Sequence, residues 1–293
     1  MTDSVVTGGA GFLGSHLADE LAGRGHRVTV FDRKAPAAPG TGVRQVTGDL
    51  EDFDLLCRTI AGADFVFHFA ALSDLNKARD LPRETVQANV AGTVNVLEAA
   101  RLAKVKRFVF SSTIYVYSDE GSFYRASKQA CEAYIEEYQH RYGLDYTILR
   151  FGSLYGPRAD ESNGLYRLLR EAARTGKIRY FGEPDDVREY IHVADAARLS
   201  ADILDPQYAN QHLIITGHHP TRARDLFTMF SEILGRDVQI EYARSEVRDL
   251  HYRITPYRFH PKVGKKLTSN LYVDFGQGIL QVLEQIAAEE RRS

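Results

Sequence analysis

Thr7-Gly8-Gly9-Ala10-Gly11-Phe12-Leu13-Gly14 follows a β-branched run, Ser4–Thr7, and opens a segment, Gly14–Arg24, with apolar residues at helical spacing. The stretch satisfies two glycine spacings at once, Gly9-x-Gly11-x-x-Gly14 and Gly8-x-x-Gly11-x-x-Gly14. Glycines at these places let the turn tighten and the main chain approach a pyrophosphate. The charge of that group then meets the N–H groups and positive end of the helix. The second β-branched run, Arg27–Phe31, leads into Asp32, at the distance where an acidic residue accepts the ribose hydroxyls of adenosine. Turn and acid together predict a dinucleotide site. Asp32 would repel a ribose phosphate, which favours NAD over NADP, while the neighbouring Arg33 carries a guanidinium able to accommodate that phosphate.

On either side of this turn, short β-branched or aromatic runs alternate with helical patterns up to about residue 150, the signature of βαβ units closing a parallel sheet. Further strands are expected at Val43–Val46, Phe65–Phe69, Arg107–Ser111 and Tyr146–Leu149. Helices are expected at Leu55–Ala61, Pro82–Ala103 and Arg125–Tyr142. The fold class is therefore α/β, a Rossmann-type doubly wound parallel sheet, with a smaller, partly discontinuous C-terminal lobe for substrate. Residues 1–155 are expected to form the first domain, with 190–217 rejoining it through a strand at His212–Thr216, and 156–293 to form most of the lobe. Within that lobe the pattern predicts helices at Leu165–Thr175, Val193–Ile203, Thr221–Leu234 and Phe275–Glu290, and strands at Ile178–Phe181 and Gln239–Tyr242.

Composition narrows the function classes. With 293 residues, 37 Lys plus Arg against 39 Asp plus Glu and a net charge of −2, the chain offers no polyanion-binding surface, so nucleic acid is not an expected partner. The 2 cysteines, Cys57 and Cys131, form neither a CxxC pair nor a ligand set, which points to a reducing, cytoplasmic setting. No apolar run reaches the ~18 residues of a membrane span, and no secretory signal stretch opens the chain. His218-His219 lacks carboxylate or cysteine partners at ligand spacing, so no metal is expected.

Ligands of open parallel sheets collect at the carboxyl ends of the strands. Gly48-Asp49-Leu50 and His68-Phe69-Ala70-Ala71 stand there. Asp49 either caps the next turn or accepts from an adenine amino group, and His68 reads as a packed histidine rather than a catalyst. At the fifth strand, Ser111-Ser112-Thr113 precedes Tyr124-Arg125-Ala126-Ser127-Lys128, where Tyr124 and Lys128 share one helix face. A phenol of ordinary pKa near 10 is a poor base at neutral pH. The ammonium beside it is expected to lower that value, making Tyr124 a usable proton acceptor, with Thr113 hydrogen-bonding the same substrate oxygen.

These residues, with Asn89-Val90-Ala91-Gly92-Thr93, Leu149-Arg150, Tyr155-Gly156-Pro157 and Arg188-Glu189-Tyr190-Ile191-His192-Val193-Ala194-Asp195, resemble the extended short-chain dehydrogenase/reductases, in particular the NAD-dependent epimerase/dehydratase group acting on nucleotide sugars. The resemblance implies a catalytic trio of Thr113, Tyr124 and Lys128. It implies NAD bound by Gly8, Gly11, Phe12, Leu13, Gly14, Asp32, Arg33, Asp49, Leu50, Phe69, Ala70, Ala71, Asn89, Ser111, Tyr124 and Lys128. The nucleotide-sugar substrate would lie against Ser73, Thr113, Ser153 and Arg188, with Arg188 facing the diphosphate. A homodimer through Gln87–Ala103 and Arg125–Tyr142 is likewise implied.

Departures from the family pattern select among its chemistries. Dehydratases carry Asp-Glu directly after the threonine, and sugar-acid decarboxylases a glutamate two residues beyond it, where this chain has Ile114-Tyr115. Fucose-type epimerase-reductases use a cysteine near this strand, and none lies between Cys57 and Cys131. Redox at a carbinol carbon remains. The leading expectation is C4 epimerisation of a nucleotide-diphosphate sugar. The alternatives are an NAD(P)-dependent keto-sugar reductase or dehydrogenase and a non-catalytic dinucleotide-binding protein. The Thr113–Tyr124 segment is shorter than in typical sugar-nucleotide epimerases, and Ser153 replaces an asparagine that contacts phosphate in many relatives. The cluster Arg253, Tyr257, Arg258, His260, Lys262, Lys265 and Lys266 is either a basic rim for an anionic substrate or a solvated loop.

Overall fold

The structure is a computed structural model that describes residues 2–35, 42–243 and 251–259. The expected helix Phe275–Glu290 and the basic residues His260, Lys262, Lys265 and Lys266 lie outside the described residues. In chain order the elements are β1 (Asp3–Thr7), α1 (Phe12–Gly23), β2 (Arg27–Asp32), β3 (Val43–Thr47), α2 (Phe53–Ile60), β4 (Phe65–His68), α3 (Leu75–Asp80), α4 (Pro82–Thr85), α5 (Gly92–Ala103), β5 (Arg107–Thr113), α6 (Ser122–Tyr142) and β6 (Tyr146–Phe151). There follow β7 (Ser153–Tyr155), α7 (Gly164–Thr175), β8 (Lys177–Phe181), β9 (Val187–His192), α8 (Val193–Asp202), β10 (Gln211–Ile215), β11 (Pro220–Arg222), α9 (Ala223–Leu234) and β12 (Gln239–Ala243).

Seven parallel strands form one sheet in the order β10-β6-β5-β4-β1-β2-β3. β4 and β6 are buried along their whole length and β5 at all but one position. Strands of a parallel sheet covered on both faces carry such near-continuous apolar runs, which is why they are readable in the sequence. Alternation sends neighbours to opposite faces. Val6, Phe67 and Val109 pack under α1 and α8 with Leu17, Leu21 and Ala196, while Val5, Val66 and Phe110 pack under α2, α5 and α6 with Leu56, Leu97 and Ile135. Strand order reverses between β4 and β1, and the crevice at such a switch point is where an open α/β sheet binds its ligand.

The strand expected at His212–Thr216 is β10, and it pairs in parallel with β6, Leu213 opposite Leu149, so the chain does return to the first sheet. A third core, built on Ile178, Tyr180, Phe227 and Phe230, joins α7, β8 and α9. Three short strands absent from the sequence reading, β7, β9 and β11, make a separate sheet. The expected continuous helix over Pro82–Ala103 contains a π-helical segment, Val86–Ala91, between α4 and α5.

Candidate active site

Gly8 adopts φ +73°, and a Cβ there would lie 2.5 Å from the Ala70 amide nitrogen. A Cβ on Gly14 would lie 2.2 Å from the Gly8 carbonyl oxygen. Only glycines let β1, the turn and the end of β4 approach this closely. Gly11, which caps α1, provides no side-chain cap, so the first N–H groups of the helix face the cleft without a side-chain partner. Asp32 closes β2 beside this turn. Its carboxylate accepts from the Ala10 amide at 3.1 Å and the Lys34 amide at 3.0 Å, with lone pairs to spare. Arg33 and Asp49 form an exposed ion pair at 3.7 Å. Asp49 also accepts from the Glu51 amide at 3.1 Å, the turn-capping alternative of its two readings. The close-packed glycine cradle, the uncapped helix start and the acid at the end of β2 fit a dinucleotide.

From this turn a cleft of about 1010 Å³ runs along the carboxyl edge of the sheet. Its walls include Gly8, Gly11, Phe12, Leu13, Gly14, Asp32, Arg33, Asp49, Leu50, Phe69, Ala70, Ala71 and Ser111, and farther on Ser73, Thr113, Tyr124, Ser153 and Arg188. The glycine turn and the Ser-Ser-Thr/Tyr region thus share one cavity. Asn89 and Lys128 stand behind the wall. Asn89 is buried, accepts from the Leu72 amide at 2.7 Å and donates to Ser127 Oγ at 2.9 Å, tying the loop after β4 to the first turns of α6. The π-helical turn that carries Asn89 is a common device for aiming one residue at a functional region.

Lys128 is buried, donates to the Ser111 carbonyl at 2.6 Å and lies 4.5 Å above the Phe110 ring and 5.7 Å from the centre of the Tyr124 ring. Burial lowers its pKa to about 8, against the opposing influence of Cys131 and Glu132. Here the structure corrects the sequence reading. The Tyr124 phenol is pushed above its ordinary value, by burial first and by Cys131 second, and is not lowered by the ammonium. The physical reason is that Lys128 reaches the ring and the Ser111 carbonyl, so desolvation of the phenolate outweighs the attraction. Thr113 Oγ1 accepts from the Tyr115 amide at 3.3 Å and opens on the same cleft.

His68 is packed, as read. Thr7 Oγ1 lies 2.6 Å from its Nδ1 and Thr93 Oγ1 2.9 Å from its Nε2, and burial, then Lys128, lowers its pKa to about 3. Beneath the end of β5, Arg150 makes a bidentate pair with Glu132 at 3.0 and 2.7 Å, and Glu132 also accepts from Ser112 Oγ. Lys128 and Glu132 lie one turn apart on α6, so the pair with Arg150 anchors the helix to β6, and the bond from Ser112 ties it to β5, the strand that carries Thr113. The shortened Thr113–Tyr124 segment is a 3-10 turn, Ile114–Tyr117, closed by Arg125, which donates to the Ser118 carbonyl at 2.8 Å.

Residues to which the sequence reading gave no role in the site complete the far end of the cleft. Tyr115, Tyr190, His251 and Tyr252 line it with Arg188. Arg188 Nε is buried without a hydrogen-bond partner among the described residues, and Tyr252 meets Ser153 Oγ at 3.2 Å. The arginine is more basic than usual. Burial opposes its charge, but Tyr180, Tyr190, Tyr115 and Tyr252 around it outweigh that cost. His251 and Tyr252 carry no motif. They reach the cleft because Val187 accepts them into register, its amide donating to the Arg253 carbonyl at 2.7 Å. Among the described residues no group of three or more His, Cys, Asp or Glu is placed to hold a metal ion, and no helix is long and apolar enough to cross a membrane.

Fold and cleft define a dinucleotide-binding α/β protein with a reacting end. The chain belongs to the NAD-dependent epimerase/dehydratase family, whose sequence profile matches residues 4–215. It is 30% identical over 276 residues to a UDP-glucose 4-epimerase of Mycolicibacterium smegmatis, covering 84% of this chain and 87% of that one. The structure is similar to that of the UDP-glucose 4-epimerase of Thermotoga maritima solved with UDP-glucose, with a TM-score of 0.80, 27% identity, and 88% of this chain and 90% of that chain covered. It is also similar to the UDP-glucose 4-epimerase of Thermus thermophilus solved with NAD, with a TM-score of 0.77, 28% identity, and 90% and 95% coverage.

Proposed function

We propose that the protein is an NAD-dependent epimerase that inverts C4 of a UDP-sugar. The observation that carries this reading is the opening of Thr113 and Tyr124 into the cleft that begins at the glycine turn, with Lys128 directly behind the tyrosine ring. NAD would be held by the amides of Gly11–Gly14, by Asp32 and by the Phe69–Ala71 edge. When bound it supplies reversible two-electron redox at the carbinol carbon. Tyr124 acts from its phenolate form, having first given up its own proton to solvent through the cleft: it takes the proton of the sugar 4-hydroxyl as that carbon becomes a ketone and returns it after the sugar has turned over. Thr113 donates a hydrogen bond to the same oxygen and fixes its direction. Lys128 keeps its proton below about pH 8, and its charge offsets only part of the desolvation that holds the Tyr124 phenol above its ordinary value. Arg188, with an unpartnered buried N–H, binds the diphosphate.

Protein purified with its cofactor is expected to interconvert UDP-glucose and its C4 epimer with no added NAD. Tyr124→Phe is expected to lower kcat by about 10²–10⁴-fold, the usual worth of a general acid–base group. Stoichiometric NADH release, or turnover indifferent to Tyr124→Phe, overturns the proposal.

The proposal includes a homodimer in the cytoplasm, paired through α5 and α6. Leu102, Tyr134 and Tyr142 on these helices are about half exposed, at 52%, 48% and 52%, large apolar groups that pairing would cover. Sedimentation at micromolar concentration is expected to give a dimer, which Leu102→Glu with Tyr134→Glu splits. A wild-type monomer removes this element.

A further inference from the structure

Tyr115 lies two residues beyond Thr113, and its phenol oxygen is 2.7 Å from Nδ1 of His251. Its ring centre lies 4.9 Å from that of Tyr252, and the Arg188 guanidinium carbon is 5.7 Å from the Tyr252 ring. These contacts run from Thr113 through Tyr115 and Tyr252 to Arg188, all of them in the wall of the cleft. Tyr115 therefore occupies the interval between the pole where an alcohol reacts and the pole where a diphosphate is held. A sugar ring spans that interval in a nucleotide sugar. Both Tyr115 and His251 line the cleft there.

Counting protons gives the chemistry of the pair. His251 is neutral, because burial, then Arg188 and Arg167, lower its pKa to about 3. A neutral imidazole has one N–H and a phenol one O–H. Whichever way their mutual hydrogen bond runs, it consumes one of those protons and leaves the pair one donor and one acceptor to offer. A sugar hydroxyl complements both. A carboxylate accepts only, so it would leave the pair's acceptor facing an anion, and buried polar groups left unmatched are what make rejection strong.

We propose that the Tyr115–His251 pair reads the C6 hydroxyl of the sugar, the group that a carboxylate replaces in a uronic acid, and so selects neutral UDP-sugars over UDP-uronic acids. This rests on the reading of the cleft as a nucleotide-sugar site. Arg188, facing the pair from β9, is then engaged by the diphosphate, while Arg167 on α7 donates to the Glu161 carbonyl at 2.6 Å and Arg179 on β8, which also lines the cleft, pairs with Glu241 at 3.3 Å, so each of these three cations already has a partner other than a uronate.

The test compares wild type, Tyr115→Phe and His251→Phe as NAD-loaded enzymes. C4 inversion of UDP-glucose and of UDP-glucuronic acid is followed, and the Kd of each and of UDP is measured in a Tyr124→Phe background. Wild type is expected to favour UDP-glucose by at least about tenfold in kcat/KM, and each variant to cut that ratio about tenfold or more, with melting temperatures that show folded protein. Should one variant fail to fold, the other carries the same prediction. A wild-type preference for UDP-glucuronic acid overturns the inference, as does an equal fall for both sugars in the variants, which marks a packing role. Sugar nucleotides that bind no tighter than UDP also overturn it. If UDP and both sugars fail to bind, it is the nucleotide-sugar reading that falls.

Discussion

The two ends of the cleft are built on different principles. The dinucleotide end is made of main chain: Gly8, Gly11 and Gly14 within one turn, and Asp32 at the end of the adjacent strand, so its parts are neighbours in sequence as well as in space. The sugar end is made of side chains gathered from Thr113, Tyr115, Ser153, Arg188 and His251, and the hydrogen bond that joins Tyr115 to His251 spans 136 positions. A main-chain site has almost no freedom of composition, since any Cβ collides. A side-chain site can be altered piecemeal, which is why a family can keep one cofactor end and vary its substrates.

The sharpest way to break this contrast is Gly14→Val. Its Cβ would sit 2.2 Å from the Gly8 carbonyl, so the turn must open. Dinucleotide affinity, titrated calorimetrically, is expected to fall by on the order of 100-fold, about 2.8 kcal/mol. An effect under threefold would show that the turn tolerates bulk and that the end is not main-chain-made. A second test, read on stability instead of affinity, is Glu132→Ala, which strands the buried Arg150 guanidinium between Tyr117 and His212. Removing one partner of a buried pair costs about 3–5 kcal/mol. Thermal unfolding is expected roughly 10 °C earlier, and an unchanged Tm would mean that α6 and β6 are held together without this pair. The third test is in pH. His68 and His251 both have folded pKa values lowered to about 3, by burial above all. The unfolded chain takes up protons on them near pH 6.5 while the folded chain does not, so stability is retained above that value and lost progressively as pH falls toward 3. A melting profile that is flat or rising from pH 7 to pH 4.5 would contradict it.

Legibility in the sequence followed the same division. β1, β4, β5 and β6 were readable because burial on both faces forces continuous apolar runs, and the turn because its glycines are sterically required. That Thr113, Tyr124 and Lys128, the trio proposed for catalysis, lie near one another was readable from local spacing on α6 and at the end of β5. β7, β9 and β11 were not, because three- to six-residue strands of mixed burial lack a period that stands out. The π turn over Val86–Ala91 was hidden too, since its geometry is stabilised by contacts such as Asn89 to Leu72 and Ser127 and by no residue type of its own. The direction of the Tyr124 shift escaped because desolvation depends on packing, which four-residue spacing does not report.

The placement of β10 has a consequence for synthesis. β6 is flanked on one side by β5 and on the other only by β10, whose residues are translated after those of α7, β8, β9 and α8. A nascent chain that has just released residue 151 therefore holds six strands with one apolar edge, Tyr146–Phe151, bearing open N–H and C=O groups. That edge stays open to wrong pairing with other chains until some sixty further residues leave the ribosome, so truncation before Gln211 is expected to yield aggregating protein even though the whole glycine turn is present.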